Sequence, residues 1–445
     1  MEEKHDRNKG CNCKHITIEE NVLSDSLAKL KDKLEKLSPL SHNKCSIFRV
    51  PPQLRERKEK AFTPQVISIG PLHHNSPKLK PMEEHKMRYL KDFLSRTQAS
   101  LEDCVQLLKG KEEMLRSYYA DLIEFDSDKF IEIILVDATF ILELFFRNSF
   151  GNHQLRNQHD HFFGSPRKLY FIKNDMILLE NQVPFFIIED LLSLAESDIP
   201  TKDDVRRLAV KLTCEFFRKK LDYLLHMDNF NVEGKLDRTE IHHFVHFARI
   251  CYLPQEMPSK NKSKSFTMPT ATQLHQAGVK FKAKKNGSIF DITFKDGVLE
   301  IPYFTMKDTL DILLRNLIAY EYCHSHDNYV NDYVFVLDSL VDTPGDVDLL
   351  TENGIIESKL SGSQEVASAI NNLSPGVIMA RRTFYFADLC EKLNQYYTVT
   401  WHKWRATLKE EYFSNPWAII SLIAAIMLLM LTFVQTTYAV MSYHY

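Results

Sequence analysis

Apolar residues recur along most of this chain with the spacing of α-helices, in which one face repeats about every 3.6 residues. The pattern is strongest over 127–147, which is apolar on nearly every side and predicts a helix buried in the core. We therefore expect a predominantly α-helical, multi-helical body. Further helical patterns cover 98–120, 201–226, 239–251, 308–323, 329–342, 363–372 and 382–412.

Leucines near the amino terminus recur at alternating steps of four and three residues, the repeat of a coiled-coil seam. The repeat predicts an amphipathic helix over 17–37, inside a variable N-terminal segment 1–46. Because about two heptads are present, we favour packing of this seam on the chain's own body. Pairing with a partner helix in a homo- or hetero-oligomer is the alternative. The seam consists of Leu23, Leu27, Leu30, Leu34 and Leu37.

The helical body, 47–413, also contains a segment with the alternation of β-strands. Residues 279–283 alternate apolar side chains with lysines, and Asp296-Gly297 has the composition of a two-residue hairpin turn. We expect a small β-hairpin or three-stranded element here. The polar, basic stretch 255–269 before it predicts a mobile loop and a lobe boundary. The turn places Phe294 opposite Leu299, Ile292 opposite Ile301 and Phe290 opposite Tyr303.

The last part of the chain is apolar without a helical face. Every residue over 417–434 is apolar except Ser421 and Thr432, whose hydroxyl groups can bond back to helix carbonyls. A helix from Trp417 to Tyr438 would be roughly 33 Å long, which matches the apolar core of a bilayer. We predict one transmembrane helix at 416–438, followed by a short tail at 439–445. Its representative side chains are Trp417, Leu422, Leu428, Leu431, Phe433 and Tyr438.

Basic residues flank this predicted span on one side. Lys403, Arg405 and Lys409 precede it, and neither Lys nor Arg follows. Since basic residues are held on the cytosolic side of a membrane, we expect a tail-anchored protein with a cytosolic body. The start of the sequence does not resemble a signal peptide. Plasma membrane and endomembranes remain equal alternatives.

Composition and charge limit the classes of partner and of chemistry that we expect for this chain. The formal charge of −3 argues against broad nucleic-acid binding, so the expected partners are the lipid bilayer and proteins. The 8 cysteines contain no CxxC pair and suit a reducing compartment. Cys11, Cys13 and His15 could hold a metal or a lipid, but we favour an unstructured tail. Phosphate-binding, nucleotide-binding, nucleophile-elbow and zinc-protease motifs are absent from the sequence. We expect no enzyme, cofactor or metal.

Two sequence blocks carry unusual polar residues, VISIGPLHH with MEEHKMRYL at 66–90 and NDMILLENQVPFF at 174–186. Pro81 predicts a helix start whose first turn is acidic. Glu180 to Gln182 form a polar waist between two apolar runs that Pro184 separates. We favour capping of freed backbone groups over acid–base chemistry for this waist. The motif residues are Gly70, Pro71, His73, His74, Met82, Glu83, Lys86, Glu180, Asn181, Gln182 and Pro184.

Other polar residues allow a structural and a chemical interpretation. His73 and His74 are interpreted as loop-packing residues, because a nucleophile elbow does not stand nearby. Asp137 could be a buried acid, but a structural role is favoured. His242 and His246 have a spacing that can bind zinc, although a packed or solvated pair is favoured.

The blocks above, together with AGVKFK and DITFKDGVLEIP at 277–302 and NPWAIISLIAAIMLLMLT at 415–432, resemble the plant family called domain of unknown function 247. The resemblance covers about Ile47 to Tyr438. Departures are Phe62 and Leu72 where tyrosine is usual, and Ala138-Thr139 where Gly-Cys is usual.

The resemblance implies a mostly helical body, a carboxy-terminal anchor and no established enzymatic activity, and some grass relatives determine self-incompatibility. Our hypothesis is a membrane-anchored protein that acts by protein interaction in cell recognition or signalling. A membrane-bound enzyme with a site around Glu180 is the alternative.

Overall fold

The computed structural model describes residues 27, 28, 30, 31, 44–149, 166–196, 198–225, 233–236, 239–254, 267–285, 288–324, 327–373, 384–399 and 416–443. The chain divides into two units, Met1–Cys45 and Ser46–Tyr445. In the first unit, Leu27 and Leu30 are exposed. Leu23, Leu34, Leu37, Cys11, Cys13 and His15 lie outside the described residues, so the leucine seam stays a prediction.

The second unit is mainly α-helical, as the sequence predicts, with two small sheets. Its helices up to the first sheet are α1 (Pro52–Arg55), α2 (Pro81–Arg96), α3 (Leu101–Gly110), α4 (Glu112–Ser117), α5 (Ser127–Ser149), α6 (Pro166–Asp175), α7 (Phe185–Ala195), α8 (Lys202–Leu225), α9 (Glu233–Leu236), α10 (Phe244–Tyr252) and α11 (Ala271–Gln276). The later helices are α12 (Asp308–His324), α13 (Tyr329–Leu340), α14 (Pro344–Glu352), α15 (Ser363–Asn371), α16 (Ala387–Thr398) and α17 (Pro416–Tyr443).

Helix α5 forms the centre of the apolar core. Its side chains from Phe130 to Phe146 are buried with the single exception of Glu132, and α2, α3, α7 and α8 pack around it. The prediction of a core helix over 127–147 is confirmed. Nε of Arg147 donates to Oε1 of Glu143 at 2.7 Å, the i,i+4 pair that the helical pattern indicated.

Two helix starts follow from residues in the local sequence. Pro81 occupies the first turn of α2, followed by Glu83 and Glu84. Thr201 caps α8, since its hydroxyl oxygen accepts the Asp204 N–H at 3.1 Å.

Three helix predictions need correction. The pattern over 98–120 is two helices, α3 and α4, which are separated at Lys111. The pattern over 239–251 becomes helical only from Phe244, because the residues before it are extended. The pattern over 382–412 gives the shorter helix α16, which begins at Ala387 and ends at Thr398.

The first sheet has the strands β1 (Lys280–Lys284), β2 (Thr293–Lys295) and β3 (Val298–Pro302) in the order β1-β3-β2. Strands β2 and β3 form the predicted hairpin, with Phe294 opposite Leu299. Its turn has positive φ at Asp296 (51°) and Gly297 (76°), as the primed hairpin turns require. Strand β1 joins β3 in parallel.

The predicted hairpin register is correct where the strands pair, but the ladder is shorter than predicted. Strand β2 begins at Thr293, so the predicted pairs of Ile292 with Ile301 and of Phe290 with Tyr303 fall outside it. The Phe290 ring instead packs 5.7 Å from that of Tyr333. A second, parallel sheet of β4 (Phe304–Met306) and β5 (Ile356–Ser358) was not predicted.

Helix α17 includes the predicted span 416–438. Across the residues that the structure describes, no helix meets the combined requirement of length and hydropathy for crossing a membrane. The transmembrane prediction therefore lacks support from this criterion. Within α17, the Thr432 hydroxyl donates to the Leu428 carbonyl at 2.8 Å, as expected for that side chain. Most of the predicted lobe boundary and the basic residues Lys403, Arg405 and Lys409 lie outside the described residues.

Candidate functional site

The two polar sequence blocks lie against each other in the core. Asp175, at the end of α6, accepts the backbone N–H groups of Gln65 at 3.0 Å, Val66 at 2.6 Å and Ile67 at 2.9 Å. One carboxylate thus holds three successive backbone N–H groups, that of Gln65 and those of the first two residues of the first block, Val66 and Ile67. We call the second block's segment Asp175–Pro184, between α6 and α7, the polar bridge.

The side-chain amide of Asn181 in the polar bridge forms the pair of hydrogen bonds that a neighbouring β-strand would form with the first block. Its Oδ1 accepts the Ile69 N–H at 2.7 Å, and its Nδ2 donates to the Ile67 carbonyl at 3.0 Å. Nδ2 also donates to the Asp175 carbonyl at 3.0 Å. This fully buried amide therefore bonds the backbone groups of Ile67 and Ile69, with which no strand of the described part of the chain is paired.

The side chain of Gln182 hydrogen-bonds backbone groups at the turn inside the polar bridge and at the start of α10. Nε2 donates to the carbonyls of Met176 at 2.8 Å and Leu178 at 2.7 Å, while Oε1 accepts the Phe244 N–H at 2.9 Å. Pro184 then precedes the first turn of α7. Gln182 and Asn181 thus cap carbonyls freed at the break between two helices, as predicted for the waist, whereas Glu180 bonds Val50 and Arg55 outside the break.

Three donor groups surround the Glu180 carboxylate: the Val50 N–H, the Arg55 guanidinium and the ring of His73 in the first block. Oε1 accepts the Val50 N–H at 2.6 Å and a bond from the Arg55 guanidinium. Oε2 lies 3.0 Å from Nε2 of His73, in a geometry that does not align a hydrogen bond and leaves the contact electrostatic. Burial opposes ionisation, yet the contacts from His73, Arg55 and Val50 outweigh it and lower the pKa of Glu180.

Gly70 lies where the two blocks approach most closely. Its φ is +77°, and a Cβ atom on it would lie 2.2 Å from the Gln182 carbonyl oxygen. The hydroxyl of Tyr119 donates to that same oxygen at 3.1 Å. Only glycine fits here, because both the backbone conformation and the space exclude a side chain.

A buried ion pair completes the site. Nζ of Lys86 on α2 contacts Asp137 of α5, and it donates to the Ser68 carbonyl at 3.0 Å. Oδ2 of Asp137 accepts the Gly70 N–H at 2.7 Å. Burial raises the pKa of Asp137 to about 6, against the opposing effect of Lys86. Burial lowers the pKa of Lys86, but the attraction of Asp137 and Glu83 outweighs this effect, so the pKa is raised. The raised pKa of Lys86 favours its charged form, whereas the raised pKa of Asp137 works against ionisation, although its value of about 6 still lies below neutral pH.

The remaining motif residues lie around this pair. Glu83 is 2.7 Å from Nζ of Lys86, and Nδ1 of His74 is 3.8 Å from Glu83. The ring of His74 meets that of Phe125 edge-on at 5.8 Å, which agrees with a packing role. Met82 packs against the core and Pro71 lines an adjacent cavity.

Sequence reasoning missed the partners that the first block requires. Asp175, Arg55 and Tyr119 gave no periodic signal that distinguishes them from ordinary polar or aromatic residues. Asp137 did give a signal, since it is a carboxylate in an otherwise apolar helix, and its structural interpretation agrees with the pair to Lys86. The partner itself is 51 residues away in the sequence.

Two cavities lie on either side of the loop after Gly70. One of about 400 Å³ is lined by residues that include His74, Lys80 and Glu83. The other, of about 640 Å³, is lined by residues that include Leu72 and Leu122. Within the described part of the chain, no three side chains are grouped to hold a metal ion, and this includes His242 and His246.

Residues 47–431 match the family model of domain of unknown function 247, described as a plant protein of unknown function. Because this match covers most of the chain, the protein belongs to that family. It is 28% identical over 432 residues to UPF0481 protein At3g47200 of Arabidopsis thaliana, with 90% of this chain and 87% of the relative covered. It is 26% identical over 482 residues to putative UPF0481 protein At3g02645 of the same plant, with coverages of 88% and 89%. No solved structure gives a significant match.

Proposed function

We propose that this protein is held at a lipid membrane by α17 and acts there by binding other proteins. The observation that carries the proposal is the character of α17, which has 28 residues and none with a charged side chain. At about 1.5 Å per residue such a helix is longer than the apolar thickness of a bilayer, about 30 Å.

The described side chains of α17 support a lipid environment. Large apolar residues are exposed along successive turns of the helix, and they do not form a single stripe. In water this surface would cost about 25 cal/mol for each Å² of apolar area. A covering of lipid removes that cost on every side of the helix, whereas one packed partner covers a single face. The exposed residues include Leu428, Leu431, Phe433 and Tyr438.

The polar bridge supports a structural role for the motif residues. The side-chain amides of Asn181 and Gln182 bond backbone groups, and Glu180 is 1% exposed beneath Val50 and Arg55. A substrate could reach Glu180 only if the residues that cover it, Val50 and Arg55 among them, moved away. The enzyme alternative stays a hypothesis, and interaction in cell recognition or signalling rests on the family resemblance.

Membrane fractionation of the full chain in plant cells tests the anchor. We expect the protein to stay in the membrane pellet after alkaline carbonate extraction. Leu428→Lys combined with Leu431→Lys should move it to the supernatant, because two lysines at the centre of the apolar stretch are costly in lipid. Leu122→Lys is the matched control, since Leu122 is 91% exposed on the body. Wild-type protein in the supernatant would contradict the proposal.

Glycan mapping tests the cytosolic location of the body. The sequence contains Asn-x-Ser patterns at Asn261 and Asn286, which would be modified in the secretory lumen. We expect no glycan at either position, and modification of a sequon added on a spacer after Tyr445. A mass shift of the natural protein on endoglycosidase treatment would place the body outside the cytosol.

Self-association tests the leucine seam as a partner surface. Leu27 and Leu30 are exposed, which is consistent with pairing. If the seam joins two copies, Leu27→Lys with Leu30→Lys should abolish dimers in detergent without changing the melting temperature of the body. A wild-type protein that is monomeric at high concentration would exclude the homotypic form.

A further inference from the structure

Three histidines gather at the start of α10, remote in sequence from both motif blocks. His243 is fully buried and uses both ring nitrogens. Nδ1 accepts the His246 N–H at 3.3 Å and so caps the helix. Nε2 lies 2.9 Å from the Ser46 carbonyl. Since a carbonyl can only accept, Nε2 carries the proton and Nδ1 does not. The ring is therefore neutral.

His246 is bound in the same way. Its Nδ1 accepts the backbone N–H of His242 at 3.3 Å, so this nitrogen also lacks a proton. The His246 ring stacks on Tyr320 of α12 with 5.5 Å between centroids, and it lies 4.5 Å from the His242 ring. His324, at the end of α12, is 5.2 Å from His242. Four imidazoles thus lie together, with His243 buried and the other three partly exposed.

The charges around these rings do little to favour protonation. Glu240 is the carboxylate that acts on His242, and Arg249 adds positive charge near His246. Glu321 of α12 is already paired with Arg249 at 2.8 Å. Tyr320 contributes a neutral ring, because burial raises the pKa of its hydroxyl well beyond the physiological range.

Burial and neighbouring imidazoles therefore act in one direction. Burial is the main cause that lowers the pKa of His243 to about 3; His242 acts in the same direction, and the bond to the Ser46 carbonyl opposes them. Burial also lowers the pKa of His246, with His242 and His243 adding to the effect. For His242 burial outweighs the opposing influence of Glu240, and the pKa is again lowered.

We propose that His242, His243 and His246 form an acid-sensitive latch, which holds the segment Ser46–Val50 on the body at neutral pH and releases it on acidification. A proton on Nδ1 of His243 or His246 removes the acceptor of a backbone N–H at the start of α10. The bond from Nε2–H of His243 to the Ser46 carbonyl survives protonation. Release is therefore driven by repulsion between charged imidazoles in contact and by their hydration once the segment separates from them.

The segment Ser46–Val50 covers both the latch and the polar bridge. Its Ser46 N–H donates to the Tyr118 carbonyl at 3.0 Å, and its Val50 N–H donates to Glu180 at 2.6 Å. The ring of Phe48 lies 6.1 Å from that of His324. Release of this segment would therefore remove the hydrogen bond that the Val50 N–H donates to Glu180 and would expose the Glu180 carboxylate.

The sign of the pH dependence follows from the lowered pKa values. The released state has histidines near their ordinary pKa of about 6.5, so it takes up protons that the closed state excludes. The closed state keeps its full stability above this pH. Below it, the closing equilibrium falls about tenfold per pH unit for each histidine that must stay neutral, and for His243 the fall continues to about pH 3.

Hydrogen exchange of the full chain in mild detergent, measured by mass spectrometry at pH 7.5 and 5.5, tests the latch. After correction for the intrinsic pH dependence of exchange, we expect residues 46–50 to lose protection at least tenfold, while α5 keeps its protection. In His243→Asn the loss should shrink, because asparagine can cap the helix and does not titrate. His246→Gln should shrink it as well.

The exposed His275 provides the matched control, and His275→Gln should respond to pH as the wild type does. The wild-type measurement decides the proposal even if a cluster variant fails to fold. Unchanged protection of residues 46–50 at pH 5.5 would overturn it. So would simultaneous loss of protection in α5, which would indicate global unfolding instead of a local release.

Discussion

The carbonyl oxygen of Gln182 occupies the space in which a side chain on Gly70 would begin, with 2.2 Å to a Cβ atom built there. This contact fixes how closely the two polar blocks approach. Because φ of Gly70 is +77°, an alanine is also strained in its backbone. We expect Gly70→Ala to lower the free energy of unfolding by more than about 2 kcal/mol, measured by chemical denaturation with circular dichroism.

Gly110 supplies the control for this substitution. It ends α3, and a Cβ atom there would meet no atom within 4 Å. Gly110→Ala should be neutral or stabilise by up to about 1 kcal/mol, since it reduces the freedom of the unfolded chain. Similar losses in both variants would show that the close approach at Gly70 is not what matters.

The ion pair of Lys86 and Asp137 predicts an unequal response to single and double substitution. Lys86→Met leaves a buried carboxylate without its cation and should cost about 3–5 kcal/mol of unfolding free energy. Adding Asp137→Asn should recover a large part, because the amide oxygen can still accept the Gly70 N–H without carrying a charge. The comparison is made by urea denaturation of both variants. A double variant no more stable than the single one would contradict this account.

Glu180 predicts an acid-dependent loss of stability. Its pKa is lowered by His73, Arg55 and Val50 against the effect of burial, so its stabilising contribution is present above the ordinary pKa of about 4.3 and is lost as pH falls through the lowered value. We expect Glu180→Gln to cost about 1–3 kcal/mol at pH 7, with a smaller difference from wild type below pH 4. Melting temperatures at both pH values measure this.

The exposed Glu113 is the control for the pH experiment, because Glu113→Gln removes a carboxylate that lies at the surface. It should shift the melting temperature little at either pH. If the difference between wild type and Glu180→Gln stays constant down to pH 3, folding does not lower the pKa of Glu180 and our assignment of its contacts fails.

The hairpin predicts different outcomes for adjacent residues. Ile292 is 7% exposed, so Ile292→Asp should destabilise the body by about 3 kcal/mol through burial of an unpaired charge. Thr293 is exposed opposite Glu300, so Thr293→Lys should stay within about 0.5 kcal/mol of wild type. Thermal unfolding monitored by circular dichroism separates the two. Equal losses would show that the assigned faces of the strand are wrong.

The features that the sequence predicted correctly depend on residues that are close along the chain. The core helix α5 follows from an apolar run, the start of α2 from Pro81 with its acidic first turn, and the hairpin from Asp296-Gly297. Each is decided within a few residues, because helix periodicity, capping and turn conformation are local properties.

The candidate site depends on contacts across long stretches of sequence. The Val50 N–H meets Glu180, 130 residues away, and Asn181 joins Ile69 across 112 residues. Helical periodicity marked these polar residues as unusual but did not identify their partners. A buried donor bonds whichever acceptor the packing of apolar helices brings within about 3 Å. The tertiary structure alone therefore selects which polar residues meet, including His243 and Ser46.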